Sequence, residues 1–459
     1  MRFFTWKHRA ASVVSLLCAG ALLLGGCSSA GSSGAAAKPV DLTSGPEVDL
    51  VFWHSMGGTN AAALQTMVDD FNTQHSGHIK VTTQYQGSYD DAVNKFKSAM
   101  LAKSGPDIMQ CYDLGTRYMI DSGFNEPVQD YIDRSKWDLK QIDPNIAAYY
   151  TVKNKLYSMP FNSSTPLLYY NKDIFSQAGI TSVPKTFEDI IALAPKLTKK
   201  DASGNVTQST IGMYVYGWFL DQSLSKMGLP LFDNGNGRTK GPTKAVFDQN
   251  GGAAAYLKMY DQLLKSGAMP AYAMKDADGQ SAFVNGKLAM YVNSTASLAS
   301  LLKAINGKFE LGAANFPGVD SKSTHGVSVG GASLWMTKNS DARLQAAKWE
   351  FIQFMVSAKE QAFWNTKSGY FPINVNAYNE QTFKDNVQKY PQFQVAIDQL
   401  HASSKSDAGG LCAIYTQVRN VEETEMQKVL NNQESESDAV KSMTSQINSA
   451  LKDYNDANS

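Results

Sequence analysis

The side chains that stand out in this sequence are better suited to holding a ligand than to covalent chemistry. Tyr415-Thr416-Gln417-Val418-Arg419-Asn420 opens a helical stretch that also carries Glu422, Glu423 and Glu425. A guanidinium one turn from carboxylates either pairs with them or clamps an anion, and the spacing alone favours the ion pair. Phe161-Asn162-Ser163-Ser164-Thr165-Pro166-Leu167-Leu168-Tyr169-Tyr170 sets an amide and hydroxyls before an apolar run. Those groups are either neutral donors facing a cleft or the ordinary polar entry to a strand. In Gly330-Gly331-Ala332-Ser333-Leu334-Trp335 the missing Cβ atoms let backbone approach a neighbour or a ligand closely. There is no GxGxxG after a strand, no GxxxxGK[ST] and no HExxH, so dinucleotide, phosphate-loop and zincin chemistry lack their local geometry. His75 and His78 flank Gly77 in a polar turn and read as solvated loop histidines, not metal ligands. No metal and no cofactor is expected.

Alternating strands and helices must position these groups. Val48 to Trp53, Ile79 to Tyr85 and Asp107 to Tyr112 read as strands; between them Asn60 to Asn72 and a segment bearing Ala92, Phe96, Ala99 and Met100 have helical spacing. The pattern continues with strands at Pro166 to Tyr170 and Lys287 to Asn293, and with helices at Phe187 to Leu197, Gly252 to Lys265, Ala342 to Val356 and Asn420 to Leu430. Such alternation predicts α/β lobes with parallel strands covered on both sides, and ligands where the loops gather at the strand ends. Asp201 to Asn205, Asp233 to Gly237 and Pro317 to Gly326 are turn-rich surface.

The chain of 459 residues is 43% apolar, enough for two or more packed lobes. Lys plus Arg and Asp plus Glu both number 42, which gives no general electrostatic grip on nucleic acid. Four cysteines without a CxxC pair exclude a disulfide scaffold and a thiolate zinc site. Cys111 and Cys412 read as small buried apolar residues, not as a bridge. Arg2, Lys7, His8 and Arg9 precede the apolar run Ala10 to Leu24, which is too short to span a bilayer comfortably and has the form of a secretory signal. The run ends Leu24-Gly25-Gly26-Cys27, which resembles a bacterial lipobox and makes residues 1–26 a removable leader and Cys27 the lipidated first residue. Acyl chains on Cys27 would anchor the mature chain to the outer face of the membrane through a tether over residues 27–45, rich in Ser, Gly and Ala.

Several motifs occur together and in order: Phe52-Trp53-His54-Ser55-Met56, Pro160 to Pro166, Tyr169-Tyr170-Asn171-Lys172-Asp173, Gly330 to Trp335, and Ser368-Gly369-Tyr370-Phe371-Pro372-Ile373. The set resembles the extracellular solute-binding proteins of bacterial ABC importers, specifically those that bind glycerol-3-phosphate, from about Val48 to about Leu430. The resemblance implies a type II periplasmic-binding-protein fold, two α/β lobes closing like a flytrap. Lobe one would be 46–160 plus 318–370 and lobe two 161–317 plus 371–459, with hinges near Pro160, Pro317 and Pro372. The receptor would be monomeric, would transform nothing, and would deliver a small glycerol phosphate ligand to ABC permease subunits.

The same resemblance implies the site. Tyr89 and Asp113 match the aromatic and the carboxylate that hold glycerol hydroxyls; Ser164, Ser294, the Gly331 amide, Tyr370 and Arg419 match the groups that hold the phosphate. Neutral donors plus one guanidinium suit a phosphate, and the resemblance turns Arg419 from ion-pair partner into anion clamp. Two positions depart from the pattern. Asp113 stands where the family usually has Glu, and Tyr214-Val215-Tyr216-Gly217-Trp218 retains Trp218 but has Val215 in place of a second stacking tryptophan. The room left by that indole suits a glycerophosphodiester such as glycerophosphocholine. The alternatives are an oligosaccharide receptor of the same fold and, from another class, an extracellular phosphodiesterase.

Overall fold

The computed structural model describes residues 40–270 and 275–458. Residues 1–26 and Cys27 lie outside the described residues. Residues 41–46, at the end of the expected tether, are held against the helix Ala342–Met355, where Arg343 donates from Nη1 to the Pro46 carbonyl at 2.5 Å. Among the described residues no helix is long and apolar enough to cross a membrane.

In chain order the strands are β1 (Val48–His54), β2 (Ile79–Tyr85), β3 (Ile108–Tyr112), β4 (Asn125–Glu126), β5 (Thr151–Val152), β6 (Lys155–Leu156) and β7 (Met159–Ser164), then β8 (Pro166–Asn171), β9 (Lys199–Lys200), β10 (Val206–Gly212), β11 (Leu288–Ser294), β12 (Leu311–Asn315) and β13 (Gly330–Thr337). One sheet has the order β2-β1-β3-β13-β4 with β7 added on β13, and a second has the order β12-β8-β11-β10-β9. Phe52, Ile108, Leu334 and Trp335 are fully buried in the first sheet, as are Leu168, Met290 and Val292 in the second. The fold is a two-lobed α/β architecture.

The expectation of parallel strands holds for β1 with β2, β1 with β3, and β10 with β11. Elsewhere the sheets are mixed, because β13 runs antiparallel to β3 and β7, and β8 antiparallel to β11 and β12. The physical reason is connectivity. A strand that follows a helical crossover enters parallel, whereas β8 and β13 arrive after the chain has passed between sheets and enter from the other direction. The switch from the first sheet to the second falls at Thr165, the single residue between β7 and β8.

These registers bring distant residues together. Gly331 of β13 faces Ser163 on one side, while its neighbour Ala332 faces Tyr112 on the other. The end of β3 therefore delivers Asp113, the end of β7 delivers Ser164, and both meet the start of β13. On the second sheet Ser294, the last residue of β11, pairs with Pro166 just past the switch, and the Thr295 amide donates to the Thr165 carbonyl at 2.9 Å.

Candidate ligand-binding cleft

Tyr89 is the first residue of the helix Tyr89–Leu101, fixed by a reciprocal cap in which Ser88 Oγ accepts from the Asp91 amide at 3.1 Å and Asp91 Oδ2 accepts from the Ser88 amide at 3.1 Å. Its ring stacks on Tyr112 with centroids 5.2 Å apart, and its hydroxyl accepts from Asn162 Nδ2 at 3.0 Å. Asn162 is buried on β7 and is oriented by Gln110, whose Nε2 donates to Asn162 Oδ1 at 2.8 Å. Tyr370 follows Gly369, the left-handed cap (φ 100°) of the helix Ala358–Ser368, and its phenol lies beside Tyr89 and Asn162. Burial pushes both phenols up, so Tyr89 and Tyr370 are neutral donors.

Gly331 has φ 101°, and a Cβ there would lie 2.0 Å from the Asn162 carbonyl oxygen. Only glycine lets β13 come this close to β7. Next to it Gly330 receives the Trp218 indole, against which a Cβ would stand at 2.9 Å. Ser164 is buried opposite Gly330. Ser294 Oγ accepts from the Ala296 amide at 3.1 Å and so caps the turn that follows, which leaves its O–H as a donor.

A cavity of about 610 Å³ is lined by Asp113, Tyr149, Trp218, Asp221, Phe232, Tyr415 and Arg419 among others. Of the expected site residues, Asp113, Trp218 and Arg419 line it. Tyr89, Ser164, Ser294, Gly331 and Tyr370 do not; they belong to the polar group around Asn162 and the sheet switch, and Trp218, packed on Gly330, connects that group to the cavity.

Arg419 is buried, and its main partner is one the sequence did not suggest. Its Nε donates to Asp221 Oδ2 at 3.1 Å and its Nη2 bonds the same oxygen, while Tyr415 donates to it at 2.8 Å. Glu422 Oε2 lies 3.8 Å from Nε. Glu423 instead accepts from the Gly217 amide, and Glu425 pairs with Lys428. Tyr216 and Tyr415 flank the guanidinium, with ring centroids 5.6 and 5.5 Å away. Burial pushes Asp113 up to about 7 against the pull of Arg419. Burial also raises Asp221, again against Arg419, and raises Glu422 well above its usual range, with Asp221 adding to that rise. Asp221, Tyr149 and Tyr415 were missed as site residues. Asp221 follows Trp218 by three positions in the helix Gly217–Met227, so helical spacing already set it on the face of a proposed ligand group.

The segment Gly326-Val327-Ser328-Val329-Gly330 matches the GxSxG pattern and Ser328 lines the cavity with His325 and Asp407. It is not a nucleophile elbow, because it runs directly into β13 and is followed by no helix. Ser328 Oγ accepts from Gln222 Nε2 at 2.8 Å, and His325 Nδ1 is 3.9 Å from Asp407. His75 stacks on Phe71 at 4.0 Å, with Nδ1 2.9 Å from the Phe71 carbonyl, which fits a structural histidine. Cys111 and Cys412 are free and buried, not bridged.

The family of bacterial extracellular solute-binding proteins matches residues 66–394. The chain is 29% identical over 417 residues to the sn-glycerol-3-phosphate-binding periplasmic protein UgpB of Pectobacterium atrosepticum, covering 88% of this chain and 92% of that protein. It is 30% identical over 359 residues to UgpB of Escherichia coli K12, covering 76% of this chain and 80% of that one. Among solved structures, UgpB from Mycobacterium tuberculosis in complex with glycerophosphocholine superposes with a TM-score of 0.74 at 20% identity, covering 90% of this chain and 99% of the other. The acarbose-binding GacH receptor of Streptomyces glaucescens superposes with a TM-score of 0.71 at 21% identity, over 89% and 99%. The chain belongs to the bacterial extracellular solute-binding protein family, alongside the sn-glycerol-3-phosphate-binding proteins of ABC importers.

Proposed function

We propose that this chain is a lipid-anchored receptor that captures a glycerophosphodiester such as glycerophosphocholine, or glycerol-3-phosphate, and hands it unchanged to ABC permease subunits. The observation that carries this reading is the meeting of Asp113, Trp218 and Arg419 in one cavity beside the neutral donors Tyr89, Asn162 and Tyr370. A phosphoryl group can engage the Arg419 guanidinium and the donors near Ser164, Gly331 and Ser294 without needing a counter-charge from any other residue. The diester is preferred on charge. Asp113 and Asp221 face the same cavity as Arg419, and a singly charged phosphodiester meets less repulsion there than a dianionic monoester. In this reading the lobes are 46–160 plus 318–370 and 161–317 plus 371–459, with hinges near Pro160, Pro317 and Pro372, and Cys27 is the anchor.

A second reading, an oligosaccharide receptor, is favoured by the pairing of Arg419 with Asp221. A guanidinium already engaged by a carboxylate can orient that carboxylate toward sugar hydroxyls, and Trp218, Tyr149 and Tyr415 offer faces for a pyranose. Titration calorimetry with glycerophosphocholine, glycerol-3-phosphate and maltose separates the two. Binding of a phosphoester with no response to maltose is expected; saturation by maltose alone would replace the first reading with the second.

A further inference from the structure

A left-handed turn beside the cavity holds a charge that the ligand groups do not explain. Asn234, Gly235, Asn236 and Gly237 have φ of 53°, 63°, 59° and 75° in succession. L-residues visit this region singly, not in runs, so the turn persists only because its surroundings over-determine it. Asn236 Oδ1 accepts from the amides of Leu231 and Phe232 at 3.1 and 3.0 Å, and the Leu411 amide donates to the Asn236 carbonyl at 2.9 Å. Gly237 lies so close to the Leu411 carbonyl that a Cβ would stand 2.0 Å from its oxygen.

What this turn delivers is Arg238. Its Nε donates to the Gly409 carbonyl at 2.7 Å, its Nη2 to the Ala408 carbonyl at 3.0 Å and its Nη1 to the Tyr149 carbonyl at 3.1 Å, while the guanidinium lies 4.9 Å from the Tyr149 ring centroid. Among the described residues no carboxylate is within ion-pair distance of it. A guanidinium stays protonated, and one satisfied by carbonyls from two separate segments acts as a fastener.

The turn that carries Arg238 and the helix that carries Tyr149 pack on elements of different sheets. Tyr149 lies in the last turn of the helix Pro144–Tyr150, which packs on β7 of the first sheet. The turn follows Phe232, whose ring meets Tyr415 of the helix Tyr415–Leu430, and the nearby Ala245 amide donates to Asn448 of the helix Glu436–Ala457. Tyr149 itself lines the cavity, and its hydroxyl donates to the Asp113 carbonyl at 2.9 Å. We propose that Arg238 is a latch across the cleft, a positioning residue that acts on the solute through Tyr149 and the segment 408–410 without touching it. Opening that moves the turn away from Tyr149 would break the bond and ring contact between Arg238 and Tyr149, so the latch favours the closed state by that difference.

The binding arm of the test rests on the reading of the cavity as the solute site. Full-length mature protein carrying Arg238→Ala or Arg238→Lys is titrated with glycerophosphocholine and glycerol-3-phosphate, with rates from stopped flow. Loss of one charge-assisted bond and one ring contact predicts a Kd about tenfold higher or more for Arg238→Ala, carried mainly by faster dissociation, with Arg238→Lys in between. A Kd within twofold of the unmodified protein for folded Arg238→Ala, whatever its thermal stability, overturns the proposal; if that variant does not fold, Arg238→Lys decides by the same criterion. If neither solute binds the unmodified protein, the functional reading fails on its own, and small-angle scattering of the ligand-free proteins tests the latch. A larger radius of gyration for Arg238→Ala supports it, and equal radii refute it.

Discussion

Replacing Arg419 with Gln, alone and together with Asp221→Asn, separates the stability of the cleft from its affinity for phosphate. Asp221 Oδ2 receives both Nε and Nη2 of Arg419 and the Tyr415 hydroxyl. Removing the guanidinium leaves that carboxylate with one donor, and it takes the cation away from Glu422, whose two oxygens have no hydrogen-bond partner. Breaking a buried pair from one side costs about 3–5 kcal/mol. Proton uptake relieves part of this, since burial already raises both carboxyls, so a fall of about 3 kcal/mol is expected at pH 8. The sign with pH follows from linkage. A carboxyl whose folded pKa lies above its unfolded value destabilises increasingly as pH rises from the unfolded value, so the loss should be smaller at pH 5. The double variant removes both charges and should regain about 2 kcal/mol by urea unfolding, because an amide pair can hydrogen-bond without a buried charge. It should not regain phosphate binding: losing hydrogen bonds from a charged donor weakens a phosphoester about 10- to 100-fold. A double variant that binds glycerophosphocholine as tightly as the unmodified protein, measured by calorimetry, would show that Arg419 does not hold the phosphate.

Three further outcomes are expected. Because burial pushes Asp113 up to about 7 while an unfolded Asp titrates near 4, stability should decline as pH rises between those values, and Asp113→Asn should flatten that part of the urea-unfolding profile; an unchanged slope refutes the raised carboxyl. Gly331→Ala places a Cβ 2.0 Å from the Asn162 carbonyl at φ 101° and should cost at least about 2 kcal/mol, so a midpoint shift equivalent to under ~0.5 kcal/mol contradicts the close approach of β13 and β7. Cys111 and Cys412 are free and buried, with burial pushing the Cys412 thiol up to about 12; a thiol reagent should label them only in denaturant, and rapid labelling of the native protein would be inconsistent with that packing.

The sequence was most readable where one physical signal acts alone. The helices Phe187–Leu197 and Gly252–Lys265 and the strand Ile79–Tyr85 have the observed bounds, because local apolar spacing sets them. The helix Tyr415–Leu430 opens at the motif that the sequence set at its start, while the amphipathic spacing alone begins at Asn420: the first turn meets Asp221 through Tyr415 and Arg419, and no local period records that partner. Strand direction was hidden for the same reason. Whether β13 enters parallel or antiparallel depends on where a chain some two hundred residues downstream of β3 returns, not on Gly330 to Thr337 themselves. Composition and spacing left open the roles of Ser164, Gly331 and Arg419, and a resemblance distributed over several short motifs drew them together. What the resemblance could not supply was the counter-ion. Asp221 is invisible to motif matching because its partner is 198 positions away, yet it decides how much of the Arg419 charge is left for a solute. A bound phosphate would have to share the guanidinium with Asp221 or displace it, and a saccharide would need to do neither, so on the proposed reading the Arg419–Asp221 contact bears on which class of ligand the cleft accepts.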